Sequence, residues 1–553
     1  MNNFLEIGAA KTDITCTVNG VGMMGWATPG NVVKSAATPL YARAFCFFDP
    51  QTDKRLAYVN AEICFFSVFL HSAIIQKLKD EHPELGLDET NVMLTAQHTH
   101  SAPSGFTPYV IYSMPAPGFV PRVFNTFRDG VVEAIVRAWK NKRPATMRMA
   151  VGEFAPDVPV AFNRSISAYN QNKDVEALPA ELWHMAVDRD MTLLRFDGTD
   201  GTPIGSINWF AVHTTTVHSD KTTVHSDNKG VAATLMEERF GGVSAFAQSS
   251  PGDVTPNYMR HKRDKVTRGP TPDDYENARI HGRFQFEMAE RLYQEAAFAP
   301  EQPAKVDSVS GYFDLSATVC EPEFTEGVAG CRTGGGVFGI TFFTGTAEGG
   351  GVSQATIAVA KSLAMLAVAR DPEVQGKKIP LIETLNHKIL GTQNYAALLG
   401  VAAGVHPYIK LLKQWADKGI LGSKPFAPQI LPVQLARLGG LALTAMPGEP
   451  TTVAGRRIRK TLTPRLSDLG VERVVAAGYA NGYAGYITTK EEYEVQRYEG
   501  GHTLFGKWTC AAFQTIFCRL AEALHSEDRA PLTPHRPDHF AQEELEARTV
   551  FKF

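Results

Sequence analysis

Two histidines, His98 and His100, follow the apolar, strand-like segment Asn91–Gln97. On an extended chain, residues two apart point to the same side, so this spacing predicts that both imidazoles face one way. Such a pair binds a metal jointly, or one ring binds it while the other moves protons. Chance supplies such a pair readily, because the chain has 16 histidines in 553 residues. The stronger signal is the turn Ser101–Gly105 that follows, since functional groups concentrate on loops at strand ends.

Other polar side chains also follow predicted strands. His213 comes after Ile204–Val212, Thr255 lies in the turn after Val243–Gln248, and Glu449 lies between an apolar strand and a predicted helix start. Each has an ordinary structural explanation: a satisfied histidine, a Pro/Gly/Asn turn and a carboxylate at a helix N-terminus. Tyr486 and Tyr498 lie in loops dense in tyrosine and glycine. Taken singly, none of these positions defines a site.

The elements that must position these residues alternate along the chain, which predicts a mixed α and β fold (class α/β). Strands are predicted at Ala42–Phe48, Leu56–Phe65, Met147–Phe154, Thr192–Phe196, Ile204–Val212, Val243–Gln248, Val433–Ala445 and Val474–Ala477. Helices are predicted at Ser67–Leu78, Val120–Trp139, Asn228–Phe240, Tyr275–Ala297, Val352–Ala369, Pro407–Ala416, Thr451–Leu462 and Ala511–Leu524. The glycine-rich stretch 327–351 lacks the Lys-Ser/Thr ending of a phosphate-binding loop, so a flexible active-site loop is expected there.

The composition is that of a globular enzyme, with 44% apolar and 20% charged residues. The chain carries 55 basic and 58 acidic residues, for a net charge of -3, which argues against nucleic acid as a partner. Seven cysteines without C-x-x-C spacing indicate neither a thiolate zinc site nor a disulfide framework. Cys320 and Cys331 are expected to be buried thiols rather than a pair.

The first residues show no basic region followed by an apolar stretch, so no signal peptide is recognised and a cytoplasmic location is expected. No window approaches the ~20 apolar residues of a membrane-spanning helix. The nearest candidate, Leu398 to Val405, is expected to be a buried or surface-lying helix. Lys410, Lys413 and Lys418 follow it, which leaves a lipid-facing amphipathic element and transient membrane-surface contact open.

Considered together, these segments resemble the neutral ceramidase family, zinc-dependent amidases that cleave ceramide into sphingosine and fatty acid. The resemblance extends over most of the chain, and many ordered matches carry it. The matching segments are Met23–Ala27, Tyr41–Phe45, His98–Ser101, Asn163–Ser165, Asp190–Leu194, Asn208–His213, Asp227–Gly230, Gly252–Asn257, Pro447–Glu449, Gly485–Thr489 and Tyr498–Gly501.

The resemblance implies one zinc ion per chain, with four ligands: His98, His213, Glu449 and Tyr486. Zinc lowers the pKa of bound water and polarises a carbonyl, so a side-chain nucleophile is unnecessary. Further catalytic groups are also implied at matching positions. They are His100 as the proton shuttle, and Arg164 and Tyr498 as groups that hold the developing negative oxygen.

Two departures from the family pattern affect these expectations. The family normally has serine where this chain has Thr255, which keeps the hydroxyl but adds a methyl group and stiffens χ1. Attack by zinc-bound water or by this hydroxyl therefore stays open. Family members usually append an immunoglobulin-like domain of ~100 residues, whereas residues 505–553 suffice only for a helix and a tail. A single catalytic domain over 1–553, without that accessory domain, is expected.

The implied activity is hydrolysis of the N-acyl bond of ceramide or of a related N-acyl amide. Motifs do not report the pocket walls that select a substrate. One alternative is therefore the same metal site acting on a soluble amide, ester or lactone. Another is a catalytically silent lipid-binding relative, although such a protein has no physical need for all of His98, His100, His213, Glu449 and Tyr486.

Overall fold

The computed structural model describes residues 4–116, 118–262, 264–367, 371–395, 407–526 and 532–549. Helices and strands alternate along these residues, so the predicted mixed fold is confirmed. Two sheets dominate the architecture, one of eight strands and one of four.

The strands are β1 (Leu5–Asp13), β2 (Ser35–Ala36), β3 (Tyr41–Phe48), β4 (Arg55–Ala61), β5 (Val92–Ala96), β6 (Arg143–Glu153), β7 (Phe162–Asn163), β8 (Asp190–Gly198), β9 (Pro203–Phe210), β10 (Thr223–Val224), β11 (Val243–Gln248), β12 (Val254–Thr255), β13 (Val306–Asp314), β14 (Val337–Gly339), β15 (Pro380–Glu383), β16 (Lys388–Ile389), β17 (Ile430–Leu438), β18 (Leu441–Ala445), β19 (Glu449–Pro450), β20 (Arg473–Val475) and β21 (Tyr486–Ile487). The α-helices are α1 (Val68–Glu81), α2 (Val110–Ser113), α3 (Pro121–Lys140), α4 (Ile166–Tyr169), α5 (Asp227–Phe240), α6 (Asp274–Ala296), α7 (Gln354–Ala367), α8 (Pro372–Gln375), α9 (Pro407–Asp417), α10 (Thr452–Leu466), α11 (Lys490–Val495), α12 (Tyr498–His502), α13 (Thr509–His525) and α14 (Gln542–Arg548).

The larger sheet has the strand order β11-β9-β8-β6-β1-β3-β4-β5. It is antiparallel in its middle, but β4 pairs with β5 and β9 pairs with β11 in parallel. Neighbouring side chains of β3 pack in two different hydrophobic cores, one on each face of the sheet. Ala44 packs with helix α3, whereas Phe45 and Phe47 pack with Phe196 and with the four-stranded sheet. Both faces of the sheet are therefore covered at β3, which explains why this strand is apolar except for Arg43.

The two ends of this sheet meet. Gln248, the last residue of β11, donates a hydrogen bond to the carbonyl oxygen of Gln97, just beyond β5, at 2.9 Å. Trp209 of β9 donates to the Tyr58 hydroxyl of β4 at 3.2 Å. The sheet is thus curled, and the loops that follow β5, β9 and β11 come together at one end.

The smaller sheet has the order β13-β17-β18-β20 and delivers Glu449 to the same end. The single strand predicted over Val433–Ala445 is wrong, because β17 and β18 form a hairpin that reverses at Gly439, where φ is 59°. Such a positive φ suits glycine, which has no Cβ to clash. Beyond β18, the chain runs directly into β19 at Glu449.

Other elements differ from the sequence predictions in detail. The predicted strand Leu56–Phe65 ends at Ala61, after which the chain bends toward helix α1. The long strands β1 and β13 escaped prediction because small, charged and polar residues interrupt their apolar pattern. Leu398 to Val405, and the end of the helix predicted over Val352–Ala369, lie outside the described residues.

All seven cysteines are free thiols, as expected, and Cys331 is half-buried while Cys320 is buried. Within the described ranges, no helix has both the length and the apolar character needed to cross a membrane.

Candidate metal centre

The chain turns sharply at His98. Strand β5 ends at Ala96, and His98 has a φ of 79°, a conformation that costs energy for a residue with a side chain. The prediction that an extended chain aligns the two imidazoles is therefore wrong in its geometry. The rings still meet, because the turn leaves Nε2 of His100 only 2.9 Å from Nε2 of His98. Strain of this kind at a polar residue is typical of functional sites.

Backbone carbonyls orient two of the histidine rings. Nδ1 of His98 lies 2.7 Å from the carbonyl oxygen of Cys64, and Nδ1 of His213 lies 2.8 Å from that of Val254. A ring nitrogen facing a carbonyl carries the hydrogen and donates it, so Nε2 of each ring keeps a free lone pair. This arrangement prepares both Nε2 atoms as metal ligands.

Glu449 supplies a carboxylate to the same place. Strand β19 pairs in parallel with β21, which sets Glu449 beside Tyr486. The hydroxyl of Tyr479 donates to Oε2 of Glu449 at 2.8 Å, and that of Tyr483 donates to Oε1. Burial alone would raise the pKa of Glu449, but His98, His213 and these hydrogen bonds hold it well below its usual range. The side chain is therefore a carboxylate at neutral pH.

The ligand atoms of His98, His213 and Glu449 lie within 4.8 Å of one another, and all three residues are buried. Oε2 of Glu449 lies 3.2 Å from Nε2 of His213, and Oε1 lies 3.8 Å from Nε2 of His98. Nε2 of His213 makes no hydrogen bond although it is fully buried, which is costly for a polar atom. Two imidazoles and one carboxylate converging in this way fit a zinc ion with positions left open.

A second group of potential ligands fits less well. Cys64, His98 and His100 also come within metal-binding distance of one another. However, Nδ1 of His98 is engaged by the Cys64 carbonyl, and burial raises the pKa of the Cys64 thiol well above its usual value. A thiol must lose its proton to bind a metal, so the cluster with Glu449 is the better centre.

Arg164 forms hydrogen bonds with Tyr486, the fourth predicted ligand, and with the carboxylates of two glutamates. Its Nη2 donates to the Tyr486 hydroxyl and to the Gly252 carbonyl, each at 2.9 Å. Its Nη1 donates to Oε1 of Glu348 at 3.0 Å, and its Nε donates to Oε1 of Glu499 at 2.9 Å. All three guanidinium nitrogens are therefore held by hydrogen bonds, and Nη2 is directed at Tyr486.

Glu348 and Glu499 were not predicted from the sequence as site residues. Glu348 lies within the glycine-rich stretch expected to be an active-site loop, and Glu499 lies within a family-like segment, but neither has a local motif. Thr215 Oγ1 and Asn257 Nδ2 donate to Oε2 of Glu348 at 2.8 and 3.0 Å. Burial alone would raise the pKa of Glu348, but Arg164 and these donors lower it to about 2.

His100 lies beside the proposed ligands on a wall formed by Trp26. The indole meets the His100 ring edge-on, with centroids 5.1 Å apart, and Nδ1 of His100 is buried without a hydrogen-bond partner. Gly25 has a φ of 108°, and a Cβ there would lie 2.3 Å from the His100 ring. Glycine is therefore required at position 25 to admit the histidine.

The other two predicted catalytic residues occupy different positions. Thr255 is buried, and its Oγ1 accepts a hydrogen bond from the Asn257 amide at 2.9 Å, which closes a local turn. Tyr498 begins α12 with its ring edge-on to Tyr486, at 5.7 Å between centroids, and 5.7 Å from the Arg164 guanidinium. Tyr498 thus borders the centre, whereas the Thr255 hydroxyl is engaged by the backbone.

Two histidines and one carboxylate on a mixed α and β scaffold are compatible with a bound metal, and hydrolytic metal centres use this donor set. Comparison with known proteins specifies the class further. The family described as "Neutral/alkaline non-lysosomal ceramidase, N-terminal" matches residues 5–379 and 413–515. The chain belongs to this neutral ceramidase family.

Individual relatives cover nearly all of the chain. The neutral ceramidase of Pseudomonas aeruginosa is 33% identical over 538 residues, which are 95% of this chain and 73% of the relative. The neutral ceramidase of Mycobacterium tuberculosis is 31% identical, over 96% of this chain and 78% of the relative. The crystal structure of the Pseudomonas enzyme gives a TM-score of 0.76 at 30% identity, over 95% of this chain and 75% of that one. A structure described as "Ceramidase complexed with C2" gives a TM-score of 0.79 at 30% identity, over 98% and 79% of the two chains.

Proposed function

We propose that this protein hydrolyses the N-acyl amide bond of ceramide with one zinc ion bound by His98, His213 and Glu449, and with Tyr486 as the fourth ligand. The names of its relatives support the substrate, and membership of the family supports the reaction. The observation that carries the proposal is the convergence of two Nε2 atoms and a carboxylate around a buried point where Nε2 of His213 has no hydrogen-bond partner.

The donor set favours zinc over harder cations. Magnesium and calcium prefer oxygen ligands, whereas two imidazoles with one carboxylate suit zinc. When bound, zinc supplies Lewis acidity, which activates water and polarises an amide carbonyl. Tyr479 and Tyr483 fix the orientation of Glu449 through its two oxygens, so this ligand is already positioned before a metal arrives.

The remaining groups provide proton transfer and charge stabilisation. Cleavage of an amide requires a proton on the leaving nitrogen and places negative charge on the former carbonyl oxygen. His100 is positioned to carry that proton, since its unpaired Nδ1 leaves one ring nitrogen available. Arg164 donates a hydrogen bond to the Tyr486 hydroxyl and so holds that group in place at the centre, where its own hydrogen remains available for a developing oxyanion. Tyr498 supplies a further phenolic donor at the border.

The proposal is tested by metal analysis combined with a hydrolysis screen. The wild-type protein should contain about one zinc per chain, and should release fatty acid from ceramides faster than from soluble N-acyl amides, esters and lactones. His213→Ala should lose both zinc and turnover, because it removes one ligand. His525→Ala is the matched control: His525 pairs with Asp468 at the surface, and its loss should change neither quantity.

Two results would contradict the proposal in different ways. Full activity of the zinc-free protein would refute the metal mechanism. Activity restricted to the soluble compounds would refute ceramide as the substrate while leaving the metal centre intact.

A further inference from the structure

Helix α7 exposes large apolar side chains on the side that faces away from the protein. Its inner face packs through Ala364, which is fully buried, and through the half-buried Ile357 and Ala360. The exposed apolar residues are Val359, Leu363, Met365 and Leu366, whose exposed fractions are 62%, 47%, 50% and 87%. Val359, Leu363 and Leu366 follow an i, i+4, i+7 pattern and therefore form one stripe, on a different side of the helix from the packed face.

A surface helix of a soluble domain normally carries polar residues on this outer face. A helix that is apolar on both faces is stable when both faces are covered, and exposed apolar patches of this kind mark sites of interaction. Since the inner face already packs on the protein, the outer stripe requires a separate partner.

The charge of α7 indicates which kind of partner fits. The helix contains no aspartate or glutamate between Gln354 and Ala367, and its one charged residue, Lys361, is exposed. An apolar stripe on a helix that carries a lysine and no acidic residue is suited to the interface of a lipid bilayer, where the apolar side chains enter and the ammonium group meets phosphates.

The position of α7 ties it to the metal centre. Glu348, which accepts a hydrogen bond from Arg164, is followed by three glycines with φ values of 139°, 72° and 83°, and α7 begins at Gln354. The 3-10 turn Ile340–Thr344 also packs against α7 and presents Phe342 to Tyr498, at 5.2 Å between ring centroids. A short loop and one turn therefore separate the apolar stripe from residues that border the site.

We propose that α7 docks on the surface of a lipid bilayer, with Val359, Leu363 and Leu366 entering the boundary between headgroups and acyl chains. The inference rests on the proposed function, because a lipid substrate places the enzyme at a bilayer. Ceramide keeps its hydrocarbon chains in the membrane and its amide near the headgroups, so docking through α7 brings the metal centre to the depth of the scissile bond. Lys361 adds attraction to anionic lipids.

The test compares the wild-type protein with the double variant Val359→Glu/Leu366→Glu in flotation with vesicles of phosphatidylcholine containing a minor fraction of phosphatidylglycerol. The bound fraction of the double variant should fall about tenfold or more, which corresponds to ~1.4 kcal/mol. Turnover of long-chain ceramide in the same vesicles should fall in parallel. Hydrolysis of a short-chain ceramide in solution should stay within about twofold, because both positions face solvent away from the metal centre.

Phe298→Glu is the matched control. Phe298 is 92% exposed and follows the C-terminus of α6, so it tests whether any added surface charge weakens binding. Its vesicle binding should equal that of the wild type. A Lys361→Glu variant should lose binding mainly to vesicles that contain phosphatidylglycerol.

Vesicle binding that is absent in the wild type, or equal in the wild type and the double variant, would overturn the inference. It would also be overturned if the double variant dissociated a dimer in analytical ultracentrifugation while its vesicle binding was unchanged, since a second copy would then be the partner. Failure of the proposed function is distinguishable: the wild type would hydrolyse neither form of ceramide, yet its vesicle binding would still depend on α7.

Discussion

Replacing Glu348 by glutamine is expected to disturb the candidate metal centre through Arg164. Both oxygens of the Glu348 carboxylate accept hydrogen bonds from other side chains. Arg164 Nη1 donates to Oε1, and Thr215 Oγ1 and Asn257 Nδ2 donate to Oε2. Glutamine has one oxygen and one amide nitrogen, which is itself a donor. Whichever way the amide is turned, its nitrogen faces either the guanidinium or the other two donors.

The cost follows from these contacts. A hydrogen bond to a charged group contributes about 1.5–3 kcal/mol, and a buried donor left unpaired costs about 1–3 kcal/mol. Glu499 still compensates the charge of Arg164, which limits the loss. We therefore expect Glu348→Gln to lower the free energy of unfolding by about 3 kcal/mol. Without its acceptor at Nη1, the Arg164 guanidinium should turn and move Nη2 away from Tyr486. Turnover should therefore fall as well.

The pH dependence gives an independent measure of the same interaction. The pKa of Glu348 is lowered to about 2 in the folded protein, so its carboxylate stabilises the fold fully above the ordinary glutamate pKa of about 4.5. That contribution is lost as the pH falls from there toward 2. Glu348→Gln should lack this part of the acid-induced loss of stability, because glutamine does not titrate.

The assay is urea unfolding at pH 7 and at a fixed zinc concentration, together with turnover of a short-chain ceramide. Glu295→Gln is the control, because Glu295 forms an exposed pair with Arg291, and such pairs contribute about 0–1 kcal/mol. The reasoning is refuted if Glu348→Gln unfolds within about 0.5 kcal/mol of the wild type and keeps full turnover.

Three further outcomes are expected. Thr255→Ala should keep measurable turnover if water attacks, because its hydroxyl is engaged by the Asn257 amide; complete loss with zinc still bound would indicate attack by the hydroxyl. His71 is fully buried, neither ring nitrogen has a hydrogen-bond partner, and burial lowers its pKa to about 4. The unfolded chain therefore takes up a proton that the folded protein resists, so stability falls between pH 7 and pH 5. In urea titrations, the free energy of unfolding of His71→Leu should decrease by about 2 kcal/mol less between pH 7 and pH 5 than that of the wild type. An equal decrease in both proteins would contradict the lowered pKa of His71. Gly205→Ala should destabilise the protein by about 3 kcal/mol or more, because a Cβ there would lie 1.8 Å from the carbonyl oxygen of Val243; a melting temperature like that of the wild type would contradict this.

His98, His213 and Glu449 could be selected as candidate ligands because each follows an apolar strand, whereas Tyr486 was named only through the resemblance to a family. Their supporting residues could not be predicted in the same way. Tyr479 and Tyr483 act only because the chain folds back on Glu449, and Glu348 acts only because a glycine-rich loop reaches Arg164. Hydrogen bonds between residues that are distant in sequence leave no local pattern.

The fold shows the same division between local and distant information. The amphipathic helix α3 was predicted within one residue at each end, because its apolar periodicity is strong and Pro121 marks its first turn. Strand β13 was missed, since Asp307, Ser308 and Ser310 break its apolar alternation and its partner β17 lies more than a hundred residues away. Pairing partners of this kind are a property of the tertiary structure.

The convergence of ligands from distant parts of the chain has a consequence for biosynthesis. His98 and Tyr486 are separated by most of the sequence, and Glu449 reaches them only when β19 pairs with β21. During translation at about 5–20 residues per second, the first histidine emerges long before the strand that completes the centre. The proposed zinc site is therefore completed late in maturation, and an N-terminal fragment, however well it folds, contains only the two imidazoles.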